Sequence, residues 1–316
     1  MQIINTLNTV LPVFLVIGLG AILRKKGFIS AELVVGLNRL VYWVALPTLL
    51  FYKIATASYD FAVAGKTFVV MLAGTVAAVA TAYVVSAALK IPRTSVGAFV
   101  QGSFRSNLLY VGLPIVIFAF ANNDSFSSDQ AATLAIIVMA PLVPIYNIIA
   151  VIALLAGREK LDRRVALNTL RQIITNPILL ACVAGALYLM LLPPLPVVIV
   201  RACKAVGQIA LPSALLGIGA TIVTSRIVGQ RVFGVAASAS LVKIFVSPLV
   251  GLLTVYLVGL GAAEARVALI LLACPTATVS YVMAEQLKGD DRLAASIVLL
   301  STILSIISLS FVVAIF

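Results

Sequence analysis

An arginine and an asparagine lie in the middle of a long apolar stretch of this 316-residue chain. Arg105 and Asn107 fall within residues 101–114, a run that also holds Gly112 and Pro114. An arginine fork binds a carboxylate through two hydrogen bonds, and an asparagine amide both donates and accepts. We interpret this run as a candidate anion-binding site. For Arg105, contacts to protein carbonyls or a side chain directed away from the centre remain the alternative.

The composition places these residues inside a membrane. The chain is 63% hydrophobic and only 10% charged, with a mean hydropathy of +1.20, whereas soluble domains carry about a quarter charged residues. Apolar stretches of about 20 residues, the length that spans a bilayer, occur ten times. We place these spans at residues 3–23, 33–53, 66–89, 95–120, 131–156, 172–192, 197–223, 232–258, 266–286 and 292–315. The predicted fold class is an all-α membrane protein with ten transmembrane helices.

A second interrupted stretch, Ala273-Cys-Pro275-Thr-Ala-Thr278, lies in span 9. Proline removes a backbone donor, and glycine permits angles closed to other residues, so we expect helix breaks near Gly112–Pro114 and at Pro275. Broken helices expose N–H groups that favour an anion. Gly112, Pro114, Pro275, Thr276 and Thr278 therefore join the predicted substrate-binding residues. The alternatives are ordinary proline kinks and threonine hydroxyls bonded back to helix carbonyls.

The composition argues against several other classes of function. The chain has no histidine, no nucleophile–base pair, and no Cys/Asp/Glu cluster with metal-ligand spacing, so we expect no enzyme, metal or cofactor. The net charge of +12 sits mostly in short loops without interleaved aromatic residues, so we expect no nucleic-acid partner. Cys182, Cys203 and Cys274 lie in apolar segments and are interpreted as reduced core residues.

Basic residues in the loops predict the orientation. The loops after spans 1, 3, 5, 7 and 9 hold fourteen Lys and Arg residues, and the opposite loops hold four. Because basic loops stay in the cytoplasm, both termini are predicted to lie on the non-cytoplasmic side. The predicted location is the cell (inner) membrane. The cytoplasmic loop at residues 157–171 then separates a first repeat, 1–156, from a second, 172–316.

Four basic residues fall within predicted spans: Arg39, Arg105, Lys204 and Lys243. No carboxylate shares their depth, since Glu285 is expected at the cytoplasmic end of span 9. Uncompensated positive charge in a membrane is costly unless a ligand supplies the negative charge. Lys243 is a candidate for charge compensation or coupling, either as a fixed charge or as a titrating group. Arg39 and Lys204 are interpreted as snorkelling anchors of a scaffold.

The chain repeats itself at an offset of 165 residues. Ala45-Leu46-Pro47-Thr48 returns as Ala210-Leu211-Pro212-Ser213, which predicts matched kinks at two prolines, Pro47 and Pro212, of the scaffold. Each repeat holds five spans, an odd number, so the second must insert upside down relative to the first. Inverted repeats of this kind are common in secondary transporters, whose sites lie at the midplane between interrupted helices.

The motifs resemble, in order and over essentially the whole chain, the auxin efflux carrier family, of the bile/arsenite/riboflavin transporter-like superfamily. They are Leu37-Asn38-Arg39-Leu40, Ala45-Leu46-Pro47, Asn107 to Gly112-Leu-Pro114, Asn176-Pro177, Ala210-Leu-Pro212 to Gly217-Ile-Gly219, and Cys274-Pro275-Thr276 to Ala284-Glu285. The resemblance implies two inverted five-helix repeats with crossed broken helices 4 and 9, as in sodium–proton antiporters. It also implies a scaffold of spans 1, 2, 6 and 7, a transport domain of spans 3–5 and 8–10, a homodimer, and elevator movement.

Carried onto this chain, the family's substrate contacts fall on Asn107, on the Gly112–Pro114 break, and on Pro275 and its neighbours. Arg105 maps onto no feature of the plant exporters, and the short loop at 157–171 indicates a bacterial type. We therefore expect a secondary transporter of a small mono- or dicarboxylate, with H⁺ or Na⁺ as a possible coupling ion. The alternatives are a cation exchanger, which needs membrane-embedded carboxylates, and a membrane receptor or enzyme with the same fold.

Overall fold

The computed structural model describes residues 2–57, 60–121, 123, 125–156, 167, 171, 174–224 and 230–315. Within those ranges every regular element is a helix and no β-strand is present, which confirms the predicted all-α class. The predicted cytoplasmic loop at 157–171 lies outside the described residues, apart from Leu167 and Arg171. The loop that holds Arg226 also lies outside them.

Fifteen α-helices and three π-helical turns make up this described part of the chain. The helices are α1 (Gln2–Lys25), α2 (Ala31–Leu40), α3 (Leu46–Ala55), α4 (Phe61–Ala88), α5 (Arg93–Phe104), α6 (Leu113–Ala119), α7 (Ser128–Ala156), α8 (Pro177–Leu191), α9 (Val197–Gly207), α10 (Ala210–Thr224), α11 (Gln230–Leu241), α12 (Ser247–Val258), α13 (Ala262–Ala273), α14 (Val279–Gln286) and α15 (Asp291–Ile315). The π-helical turns are Val41–Ala45, Leu108–Gly112 and Val242–Val246.

Seven helical stretches in the described ranges are long and apolar enough to cross a membrane, so the chain is a multi-pass membrane protein. They are Asn8–Lys25, Ala31–Ala55, Ala62–Ala88, Ser128–Ala156, Val197–Val223, Val232–Val258 and Asp291–Ile315. The three other predicted spans correspond to the interrupted pair α5–α6, the shorter helix α8, and the interrupted pair α13–α14. The arrangement in two inverted five-helix repeats stays a prediction.

Each π-helical turn is followed directly by a helix with a proline in its first turn. The prolines are Pro47 in α3, Pro114 in α6 and Pro248 in α12. Proline lacks an N–H group and clashes with the carbonyl one turn earlier. The wider π-turn makes room for the ring while the chain stays helical, so these prolines modify a helix rather than end it.

Helix packing divides the described elements into two groups. In the first, α1 packs mainly on α10, and α3 packs mainly on α8. In the second, α4 packs on α12 and α5, α7 packs on α5 and α6, and α15 packs on α11. Contacts of α1 with α15 and α6, and of α3 with α7, form the seam between the groups. The division into a scaffold and a transport domain stays a prediction.

One ion pair crosses this seam. Lys53 in the last turn of α3 binds Asp129 in the first turn of α7. Helix α3 continues to Ala55 and buries the lysine. The carboxylate is well placed because a helix N-terminus favours negative charge.

Two glycines bring α1 and α10 into direct backbone contact. A Cβ added to Gly20 would lie 2.8 Å from the Leu216 Cα, and one added to Gly219 would lie 2.8 Å from the Ala21 nitrogen. Small residues allow membrane helices to approach closely, which is how they gain packing energy in lipid. This contact holds the first group of helices together.

The substitution Gly20→Ala should therefore lower stability by about 1–3 kcal/mol, the usual cost of overpacking. Gly18→Ala is the matched control on the same helix, because no atom lies within 4 Å of the added Cβ and alanine favours helix. The midpoint of thermal denaturation in detergent should fall for Gly20→Ala alone. Equal midpoints for the two variants would contradict the packing argument.

Candidate functional site

The two interrupted helices meet at their breaks. Helix α5 ends at Phe104 and α13 ends at Ala273, and the non-helical segments that follow pair in an antiparallel bridge. The Asn107 N–H donates to the Pro275 carbonyl at 2.8 Å, and the Ala277 N–H donates to the Arg105 carbonyl at 2.9 Å. Each break thus supplies hydrogen-bond partners that the other break needs.

Side chains satisfy further backbone groups at the crossing. Thr276 donates from its hydroxyl to the Gly102 carbonyl at 2.6 Å, and its N–H donates to the Ser301 hydroxyl at 3.0 Å. The Ser308 hydroxyl donates to the Ala273 carbonyl at 3.0 Å. Because lipid offers no hydrogen-bond partners, irregular backbone at this depth needs such protein donors and acceptors. The Thr276 hydroxyl proton is therefore used in holding the crossing together.

The first break lies earlier than the sequence indicated. The non-helical residues are Arg105 to Asn107, whereas Leu108–Gly112 is a π-turn that leads into α6. The expectation that Gly112 adopts unusual backbone angles was wrong, since its φ of −63° and ψ of −53° are helical. Its lack of a side chain serves packing instead, because an added Cβ would lie 2.8 Å from Leu271 and 3.2 Å from Cys274. Pro114 lies buried in the first turn of α6.

Asn107 occupies the N-cap position of the helical segment after the first break. Asparagine at such a position normally accepts a hydrogen bond from the helix, yet the Asn107 side chain makes no capping bond and is only 6% exposed. Thr278 stands at the N-cap of α14, likewise without a capping bond from its side chain. Both polar side chains remain available to a ligand, next to helix N-termini that favour negative charge.

Arg105 is buried at the same break, with 5% of its surface exposed. Its Nη2 donates to the Asn147 Oδ1 of α7, and its Nη1 donates to the Met283 sulfur of α14. Both acceptors are neutral, and no salt bridge to Arg105 occurs among the residues that the structure describes. The guanidinium charge is therefore hydrogen-bonded but not neutralised. Sequence reasoning missed Asn147 and Met283, although an asparagine inside an apolar span is the signal that identified Asn107.

Lys243 lies fully buried in the π-turn before α12. Its ammonium group donates to the Leu272 carbonyl at 2.6 Å, in the last turn of α13. Arg105 directly follows the last residue of α5. The carboxyl end of α13, where the helix dipole is negative, thus has a buried cation bonded to it, whereas the Arg105 guanidinium bonds to α7 and α14.

Two more buried polar side chains lie one turn away from the crossing. Gln101 in α5 is fully buried, and neither its amide oxygen nor its amide nitrogen has a hydrogen-bond partner in the described structure. The Ser280 hydroxyl in α14 is buried and likewise unpaired. Buried polar groups without partners are rare in native proteins and indicate a role for water or a ligand.

The predicted scaffold residues occupy different positions. Arg39 in α2 and Lys204 in α9 are exposed, as expected for charged side chains that reach towards a membrane surface. Pro47 and Pro212 lie in the first turns of α3 and α10. Helix α2 packs on α10 and α9 packs on α3, so all four residues belong to the first group of packed helices, whereas the paired breaks belong to the second.

The arrangement as a whole suits a small anion. It offers the buried guanidinium of Arg105 with neutral partners, and two helix N-termini. It also offers the Asn107 amide and the Thr278 hydroxyl, neither of which makes a capping hydrogen bond. In the described ranges, no group of three or more His, Cys, Asp and Glu residues is placed to hold a metal ion.

Two comparisons with known proteins relate this chain to membrane proteins of described function. A family model described as "membrane transport protein" matches residues 6–313. A protein of Rhizobium meliloti (strain 1021) described as "Putative malonate transporter" is 26% identical over 312 residues, which cover 94% of this chain and 91% of that protein. Both descriptions name transport rather than an enzymatic reaction.

The substitution Thr276→Val should destabilise the crossing, because it removes the donor to the Gly102 carbonyl without changing side-chain volume much. An orphaned buried carbonyl costs about 1–3 kcal/mol. Thr276→Ser keeps the hydroxyl and is the control, for which we expect a smaller effect. The measurement is the midpoint of thermal denaturation in detergent. A greater loss for Thr276→Ser than for Thr276→Val would contradict the structural role of the hydroxyl.

Proposed function

The chain belongs to the membrane transport protein family, that of the auxin efflux carriers, and on that premise we propose that it is a secondary carrier of a small organic anion. The substrate class is a mono- or dicarboxylate, which binds where the breaks after α5 and α13 meet. Arg105 and Asn107 contact the carboxylate, together with N–H groups at the starts of the following helices. Thr278 and the packed residues Gly112, Pro114, Pro275 and Thr276 complete the site.

The observation that carries this proposal is the combination of Arg105 and Asn107 at one buried crossing. The guanidinium has only neutral hydrogen-bond partners there, and the amide caps no helix. A carboxylate would neutralise the Arg105 guanidinium and accept a hydrogen bond from the Asn107 amide. Charge-assisted hydrogen bonds of this kind are about twice as strong as neutral ones. The printed description of the Rhizobium relative, which names malonate, agrees with this substrate class.

The distribution of acidic residues disfavours the cation exchanger. Such a protein needs a carboxylate buried at the binding site, but no Asp or Glu in the described ranges is buried. The buried charged side chains there are Lys53, Arg105 and Lys243, all of which are basic. A site with this excess of positive charge attracts anions and repels cations.

We extend the proposal to an elevator mechanism in which the two packed groups move against each other. The scaffold would comprise α1–α3 and α8–α10, and the transport domain α4–α7 and α11–α15. This division is supported by helix packing, which is denser within each group than across the seam. A homodimer formed through the scaffold, an inner-membrane location and termini outside the cytoplasm complete the proposal.

We include coupling of transport to a proton or a sodium ion in the proposal. Lys243, hydrogen-bonded to the end of α13, is proposed as a fixed charge that stabilises the break.

The experiment that tests the substrate class and the coupling ion is a thermal-shift screen of the purified protein against acetate, lactate, malonate and succinate, with and without sodium and at two pH values. We expect a carboxylate to raise the denaturation midpoint. No stabilisation by any carboxylate would contradict the substrate class.

The substitutions Asn107→Ala and Arg105→Ala should each reduce carboxylate uptake into proteoliposomes by at least about tenfold, because each removes a direct contact to the substrate. Lys204→Ala is the control, since it removes an exposed charge of the scaffold and should leave uptake unchanged. Size-exclusion profiles establish that the variants fold. Wild-type uptake by both site variants would overturn the proposed site.

A further inference from the structure

The end of α5 and the middle of α7 are joined by two neighbouring contacts. The Phe104 ring packs edge-on against the Tyr146 ring, with centroids 5.5 Å apart. The residues that follow Phe104 and Tyr146 in the chain form the second contact, in which Arg105 donates to the Asn147 amide oxygen. Tyr146 is itself fastened to α4, since its hydroxyl lies 3.1 Å from that of Thr75. Asn147 is therefore held at a defined place beside the guanidinium.

The direction of the Asn147 amide follows from the chemistry of its partner. A guanidinium has five donors and no acceptor, so the amide oxygen must face Arg105 and the Nδ2 group must point away. The side chain is half-buried and lines a narrow cleft between α7 and the start of α8, next to Pro144 and Asn176. Asn147 thus lies between the arginine and the seam of the two helix groups.

We propose that Asn147 is a positioning residue that holds the Arg105 guanidinium in the empty carrier and gives way to the substrate carboxylate. This inference rests on the proposed function. An amide oxygen orients the guanidinium without neutralising it, so the full charge stays available for the ligand. A carboxylate at the same position would form an internal ion pair and occupy the site that the substrate needs. The neutral side chain at 147 is what keeps the arginine competent to bind.

The test compares two substitutions that change this acceptor in opposite ways. Asn147→Asp supplies a resident carboxylate, whereas Asn147→Leu removes the acceptor without adding charge. Uptake is measured in proteoliposomes. The substrate is whichever of acetate, lactate, malonate and succinate raises the denaturation midpoint of the wild-type protein most. We expect Asn147→Asp to raise KM by at least about tenfold, because the substrate must displace an ionic partner of Arg105. We expect Asn147→Leu to raise KM by a smaller factor, because the guanidinium then loses its orienting partner but has no ionic partner that the substrate must displace.

Denaturation midpoints separate this role from a purely structural one. The Asn147→Asp midpoint should not fall, because the introduced carboxylate pairs with Arg105, while that of Asn147→Leu should fall. An unchanged KM or a failure to fold in Asn147→Asp would overturn the inference, as would a KM raised equally by both variants. If Arg105→Ala abolishes uptake while Asn147→Asp behaves as wild type, the proposed function stands and only this inference falls. If no carboxylate binds, or if Arg105→Ala and Asn107→Ala both transport normally, the proposed site and this inference both fall.

Discussion

The rest of the structure depends on one constraint, which is that backbone hydrogen-bonding groups inside a membrane must find partners within the protein. Two helices stop at Phe104 and Ala273, and each leaves carbonyl and N–H groups that lipid cannot satisfy. The antiparallel bridge between the breaks supplies some of the partners, and hydroxyls of α15 supply others. The two breaks are therefore tolerated only together, since each leaves backbone groups that the other helps to satisfy.

The same geometry determines the electrostatics of the crossing. Both half-helices that end there direct the negative ends of their dipoles at it. Two buried basic side chains belong to the crossing, since Lys243 donates to a carbonyl at the end of α13 and Arg105 follows the last residue of α5. Since no buried carboxylate accompanies these cations in the described ranges, an anionic ligand is the natural complement. Lys243 is committed to a carbonyl, whereas Arg105 has only an amide and a thioether as partners. Lys243 therefore suits a structural role at the end of α13, whereas Arg105 suits the binding of an anion.

The contacts that build the crossing also bear on how it would move. Every hydrogen bond described between the breaks joins elements of one packed group, namely α5, α13 and α15. The crossing can therefore travel as a unit if the proposed elevator movement occurs. The seam with the other group is thinner and carries the ion pair of Lys53 with Asp129, which belongs to the periphery rather than to the site.

The sequence by itself determined the class of protein and the two spans that are interrupted. It could do so because bilayer thickness prescribes the length of apolar segments and because charges in such segments are rare. A local signal is also sufficient at Asn176, whose side chain caps α8 directly before Pro177 in its first turn. Only the tertiary structure decided that the first break precedes Pro114, that Gly112 serves packing, and that Asn147 and Met283 hold Arg105. These features depend on contacts between helices far apart in sequence, and no local pattern reports which side chain lies opposite another.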